Sequence, residues 1–557
     1  LACAITLSLS AAACASGPAV TQGDSQAYAN FLVGRLADMR EDHQAASDHL
    51  AGAARLAPSD PDIVEDAITA SLAAGEIDRA REIAALAASH GVHVAFGDLL
   101  LGVDALAAER WSQARARFAA VRGGAAEQLT GRMLASWAGA AGGRAAPEAD
   151  ALSGLALSRP YSALFAYQYA MILDIAQGGD AARAAYEQAN QQGLWLPPAL
   201  ERQADFLMRA HAPDDARAIL DPVRSAGANP ALAAARLRLE AGQSVSETPL
   251  TPARGAAISL YGLATIFIRE TEFADGLAVM SLALTLDPQL DAARIAFAQA
   301  HADLGHPEEA REALAQIPPN SPYRVTANSM LAWQLQDEGE TEAAIAMAQA
   351  NAIQGNVLAV RALADLYRAN EDYAQAEPLY TRIIDAQTEG AGDWRLYFAR
   401  GAVRERLGRL RESEADMRQA LALSPDQPDI LNYLGYTLVD RTHRVPEGMA
   451  LIARAVELRP SSGAIVDSLG WAYFRQGEYR RALELLERAV ELEPADPTLN
   501  DHLGDVYWRI GRRIEARYQW RRALTLNAPT ADRPTIEAKL ERGLVASAAQ
   551  AHPASGR

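Results

Sequence analysis

The chain has 557 residues, half of them apolar, with 70 acidic against 52 basic side chains and a formal charge of −18. That length exceeds what one hydrophobic core usually supports, so several domains or one repeat array are expected, and the acidic field disfavours binding to a phosphate backbone and hence to nucleic acid. Aromatics reach only 6% while Ala is abundant, a mix suited to close helix-on-helix packing rather than to an aromatic-rich β architecture.

Residues 1–13 are apolar and small, and end in Ser10-Ala11-Ala12-Ala13 before Cys14. This reads as the hydrophobic region and cleavage site of a secretory signal peptide. It resembles a bacterial lipoprotein signal, with Ala11 where that family usually carries Leu. The resemblance implies lipidation of Cys14 and attachment to a membrane through the lipid. Ala15 in place of Asp implies the outer membrane, with the protein facing the periplasm. Leu1 has neither an initiator Met nor a basic stretch before it, so the natural start is expected upstream. Residues 14–26 form a linker. Cys3 and Cys14 are the only cysteines, which leaves the body without disulfides or thiolate metal sites. No later run approaches the ~20 apolar residues of a membrane span.

From residue 27 a period of 34 takes over. Gly34, Ile68 and Gly102 keep it, as do Ala46, Ala80 and Ala114, and Ala182 and Ala216 continue it more loosely. The spacing predicts an N-terminal lobe of divergent helical repeats over 27–241. Residues 242–254, polar and twice interrupted by Pro, read as a linker between two lobes. The C-terminal lobe then spans 255–528. Leu263-Ala264, Phe297-Ala298 and Leu331-Ala332 lie 34 apart, and Gly401, Gly435 and Gly470 lie 34 and 35 apart. Leu469-Gly470-Trp471-Ala472-Tyr473 recurs as Leu503-Gly504-Asp505-Val506-Tyr507, and Pro58, Pro288, Pro425, Pro460 and Pro494 close successive units.

These residues resemble the tetratricopeptide repeat (TPR), a helix–turn–helix unit of that period, in about a dozen copies. Gly470 and Ala482 mark where two helices of a unit cross, Leu469 and Tyr473 fill one face four residues apart, and Gly477 supplies the turn. The fold class is therefore all-α, a two-lobed α-solenoid. Residues 529–544 are expected to form a polar capping helix and 545–557 a disordered tail.

Catalytic chemistry finds no foothold. The single Lys, Lys539, follows no phosphate-binding glycine loop. His301 and His306, five apart, share no helical face and fall at a packing position and a turn. Ser468 sits mid-helix, and Glu308-Glu309 at an exposed helix start. No catalytic residue, metal ligand or cofactor is assigned.

In a TPR array the first helix of each pair lines the ligand groove. The resemblance thereby implies a protein-binding surface of Asn432 and Tyr436, then Asp467, Trp471 and Arg475, then Asp501, Asp505, Trp508 and Arg509. Two tryptophans flanked by charge have the anatomy of a binding hot spot. Arg509, Arg512, Arg513, Arg517, Arg521 and Arg522 form a basic cluster that could receive an acidic partner.

The stretches Leu431–Tyr436, Asp467–Trp471 and Asn500–Arg509 also look like bacterial TPR lipoproteins of the outer membrane. One branch of these serves as adaptors of periplasmic carboxyl-terminal processing proteases, bringing them to peptidoglycan-cleaving hydrolases. This implies a scaffold with protein partners, a protease and its substrates among them, and no enzymatic activity. The alternatives are a pilotin-like assembly factor for a secretion or polysaccharide-export machine and, from a different class, an enzyme with its catalytic segment within 125–250.

Overall fold

The computed structural model describes residues 22–153, 161–220, 229–386, 392–442, 444–526, 528 and 532–544. Every regular element among them is a helix, and most are joined in antiparallel pairs by short turns. The expected signal segment 1–13, Cys14 and the expected tail 545–557 lie outside the described residues.

The pair Gly463–Arg475 and Tyr479–Leu492 shows why this sequence folds so. Ser462 caps the first helix by accepting from the Ile465 N–H, which satisfies one orphan donor. The chain reverses at Gly477, whose φ of +80° suits a residue without Cβ. A side chain at Gly470 would meet the Leu486 side chain at 2.8 Å, so the helices approach only because that position is bare. Ala482, Leu486 and Ala489 are the buried residues of the second helix. The next helix, Pro497–Arg509, starts with Asp496 accepting from the N–H groups of Thr498 and Leu499, and with Pro497 in its first turn.

The chain divides into two compact units, residues 1–359 and 360–557. This differs from the expected division at 242–254. That segment is tied into the first unit: Arg202 donates to Ser246 and to the Thr248 carbonyl, Arg238 donates to the Val245 carbonyl, and Val245 is fully buried. The helix Phe273–Leu286 after it buries every residue from Gly276 to Ala283, and a helix apolar all round must be covered on all sides. Its cover comes from the earlier helices Pro61–Ala73 and Ala95–Ala107. Ser281 donates to the Leu72 carbonyl at 2.6 Å, and Trp137 donates to Ser259 at 3.1 Å.

Three histidines stand at the same closure. His43, His301 and His306 have ring centroids 5.9–6.3 Å apart, and His301 Nε2 lies 3.0 Å from the Ala73 carbonyl. Burial above all lowers the pKa of His43 to about 4 and of His301 to about 3, so both stay neutral. His301 thus packs, as its repeat position implied.

Candidate protein-binding site

In the second unit, Trp394–Arg406, Pro428–Asp440, Gly463–Arg475 and Pro497–Arg509 are each the first helix of a pair. Together they line a recess of about 430 Å3. Its walls carry Glu405 and Arg406, then Asn432, Tyr433, Tyr436 and Arg441, then Asp467 and Ser468, and finally Asp496 and His502.

Three of the nine residues expected in a groove, Asn432, Tyr436 and Asp467, meet here. Asn432 Oδ1 is buried and has no hydrogen-bond partner among the described residues, an unmet acceptor that a ligand N–H would satisfy. Burial, then the charges of Asp440 and Asp467, push the Tyr436 hydroxyl up to about 12. It stays a neutral donor at any physiological pH. Asp467 is buried and holds His502, whose Nδ1 lies 2.9 and 3.0 Å from its two carboxylate oxygens.

His502 was not singled out in the sequence. Burial lowers its pKa, but the charge and hydrogen bond of Asp467, with Asp501 and Asp505, outweigh that and hold it above the ordinary value. Trp471 lies behind this pair rather than on the recess wall. Its ring stacks on His502 at 4.1 Å and on Phe474 at 4.8 Å.

The others serve the scaffold. Arg475 pairs with Asp440 of the preceding repeat, as Arg441 pairs with Glu405 and Arg406 with Glu371. This ion-pair ladder recurs from one repeat to the next. Asp501 and Asp505 are engaged by Lys539 from the last helix, Arg533–Arg542. Trp508 packs against Trp520 at 5.4 Å and against Gly543, with Arg513 and Arg517 over its ring. Arg509 is half-buried. The basic cluster is thus partly consumed by local contacts, Arg512 also pairing with Glu487 and Glu515.

The helical pairs, their small crossing residues and this multi-helix recess define a repeat scaffold. Comparison gives the repeat its family: residues 267–328, 361–428 and 398–463 match models described as tetratricopeptide repeat, and residues 470–511 one described as TPR repeat. These stretches are tetratricopeptide repeats, the building blocks of protein-binding scaffolds. The chain is 38% identical over 104 residues to a TPR repeat-containing protein of Pseudomonas aeruginosa, a match that takes in 19% of this chain and 18% of that protein's length. Among solved structures, a tetratricopeptide repeat protein from Parabacteroides merdae is 16% identical with a TM-score of 0.38, over 45% of this chain and 97% of that one. The Cut9–Hcn1 hetero-tetramer of APC/C is 16% identical with a TM-score of 0.40, over 95% and 97%.

Proposed function

We propose that this protein is a scaffold of the bacterial envelope. It is held at the outer membrane through a lipid on Cys14, faces the periplasm, and takes a segment of a partner protein into the recess at Asn432, Tyr436 and Asp467. The observation that carries the reading is the recess itself, walled by first helices of four successive pairs and offering an unmet buried acceptor beside a neutral phenol donor. Such polar groups select and orient a polypeptide, while the repeat register spaces them along it.

Within that class we infer an adaptor. It joins a periplasmic carboxyl-terminal processing protease to the cell-wall hydrolases that the protease degrades. Holding two proteins on one molecule raises their mutual effective concentration without new chemistry. The test is capture on the intact lipidated protein from solubilised envelopes, with a Tyr436→Ala chain in parallel and mass spectrometry of the eluates. Recovery of a protease with a hydrolase, lost with Tyr436→Ala, supports the adaptor. Recovery of a secretin or an export channel instead would replace it with the pilotin-like role.

A further inference from the structure

The two ends of the helical array are finished differently. At the C-terminal end the helix Arg533–Arg542 lies against the last repeat, burying Ile536. At the N-terminal end the helix Gln22–Asp38 packs by one side only. Ala27 is buried there, and Gly34 is bare because the Leu50 side chain occupies the space of its Cβ.

The opposite side is apolar and open. At 100° per residue, Tyr28, Met39, Leu32 and Leu36 fall within about 80° of arc, with Ser25 among them, and Val33 and Arg35 border it on either side. The Met39 N–H still bonds the Arg35 carbonyl at 3.0 Å, so the spacing holds to the end of the stripe. Tyr28 is 62% exposed, Leu32 53%, Leu36 48% and Met39 78%. Five of the fourteen exposed large apolar side chains among the described residues belong to this stretch. Terminal repeats normally turn a polar face outward, and a clustered apolar patch marks a contact surface.

The chain itself argues for the occupant. Seven residues lie between Cys14 and Gln22, and eight steps of no more than ~3.5 Å each keep the helix within roughly 30 Å of the site of lipidation. A bilayer is then the apolar body constantly in reach. Exposed Arg40 beside the stripe suits a headgroup phosphate, its stem lying along the apolar surface. A second copy fits less well: four side chains offer a few hundred Å2, against the ~800 Å2 per partner of a standard interface.

We propose that Tyr28, Leu32, Leu36 and Met39 form a membrane-contacting face, which lays the helix Gln22–Asp38 in the lipid interface beside the anchor. The proposal rests on the anchoring at Cys14 read above. The face orients the array against the bilayer, where a lipid chain alone leaves it free to swing.

The experiment uses the full lipidated protein in phosphatidylcholine vesicles, with a polarity-sensitive fluorophore attached through Met39→Cys or, as control, Ala108→Cys. The label at 39 should shift to the blue and be quenched by a lipid-borne quencher, while the label at 108 should do neither. Leu32→Glu with Leu36→Glu, both on the surface, should abolish the shift and weaken vesicle binding of a Cys14→Ser chain at least tenfold. A label at 39 that stays aqueous on protein whose lipid is confirmed by mass spectrometry overturns the face while leaving the anchor standing. Unmodified Cys14 with vesicle binding still lost in the double variant overturns the anchor and leaves the face. Self-association abolished by the double variant, without any vesicle contact, gives the stripe to a second copy and overturns the proposal.

Discussion

Lys539 Nζ lies 2.9 Å from the carboxylate of Asp505 and 2.7 Å from that of Asp501, so the chain's one lysine closes the last repeat from the helix that follows it. Asp501 and Asp505 are four apart on one helical face, and a single ammonium serves both. Asp505 also accepts from Trp520 Nε1 at 2.9 Å. Burial raises the Asp505 carboxyl even against the pull of Lys539, whereas for Lys539 the two carboxylates outweigh the effect of burial. Two acids with the spacing of groove residues are thus sealed off by the chain's own cap.

Lys539→Met should therefore cost about 3–5 kcal/mol, because it strands the buried carboxylate of Asp505 and the half-buried one of Asp501 rather than removing a surface pair. Replacing both partners, with Asp505→Asn added, should recover part of the loss. Thermal unfolding reads the stability, and hydrogen exchange in Arg533–Arg542 reads whether the cap has lifted. An unchanged melting temperature in Lys539→Met would show that the pair contributes nothing.

The crossing register makes a sharper comparison. Ala482 is fully buried at a helix crossing, while Glu484 on the same helix is exposed. Ala482→Leu should destabilise by about 1–3 kcal/mol through overpacking, and Glu484→Leu should stay within about 0.5 kcal/mol. Equal shifts in melting temperature would contradict the register.

The fold was legible because each small or apolar repeat position has one steric reason that recurs every turn of the array. Gly470 and Ala482 follow from close approach alone. The site was less legible, because its pairings run between repeats. Asn432 and Asp467 were read from the register, yet Tyr433, Ser468 and His502 occupy the neighbouring register position, 35 and 34 apart, and line the same recess. Following that second column would have found His502. The capture of Asp501 and Asp505 by Lys539 depends on where the cap lands, which no periodicity encodes. The division between units was obscured likewise: the polar stretch at 242–254 looks like a linker until Arg202 and Arg238 are seen to bind its backbone.

The two buried histidine sites should respond to pH with opposite signs. His43 and His301 titrate far below their ordinary value in the folded first unit, so the unfolded chain takes up protons first. Their contribution is intact above about pH 6.5 and is lost as pH falls toward about 4 for His43 and about 3 for His301, by up to about 1.4 kcal/mol per pH unit for each group. Asp38 and Asp42, which face His43, soften the effect without reversing it. His502 is raised instead. Its pairing with Asp467 is fully present below about pH 6.5 and is lost as pH rises through the folded value. Hydrogen exchange on the full chain should show protection in His43–Leu56 falling with acid and protection in Pro497–Arg509 falling with alkali. Parallel slopes would exclude this assignment.

The last prediction separates the recess from its scaffold. Tyr436 and Asn432 line the recess, whereas Trp508, half-buried as they are, is wedged among Trp520, Gly543 and two guanidinium groups. Tyr436→Ala and Asn432→Ala should weaken partner binding at least tenfold, about 1.4 kcal/mol or more, with the melting temperature nearly unchanged. Trp508→Ala should instead open a cavity and cost about 3–5 kcal/mol of stability. Trp471 stands between these cases. Trp471→Phe keeps an aromatic surface for His502 but deletes an indole N–H that is buried without a partner among the described residues. Stability should be conserved in that variant, and binding should fall only if the partner supplies the acceptor which that N–H lacks. Titration of the captured partner against the four variants, alongside their melting curves, decides each residue. Should Tyr436→Ala and Asn432→Ala bind as the wild type does, the recess is not where the partner sits.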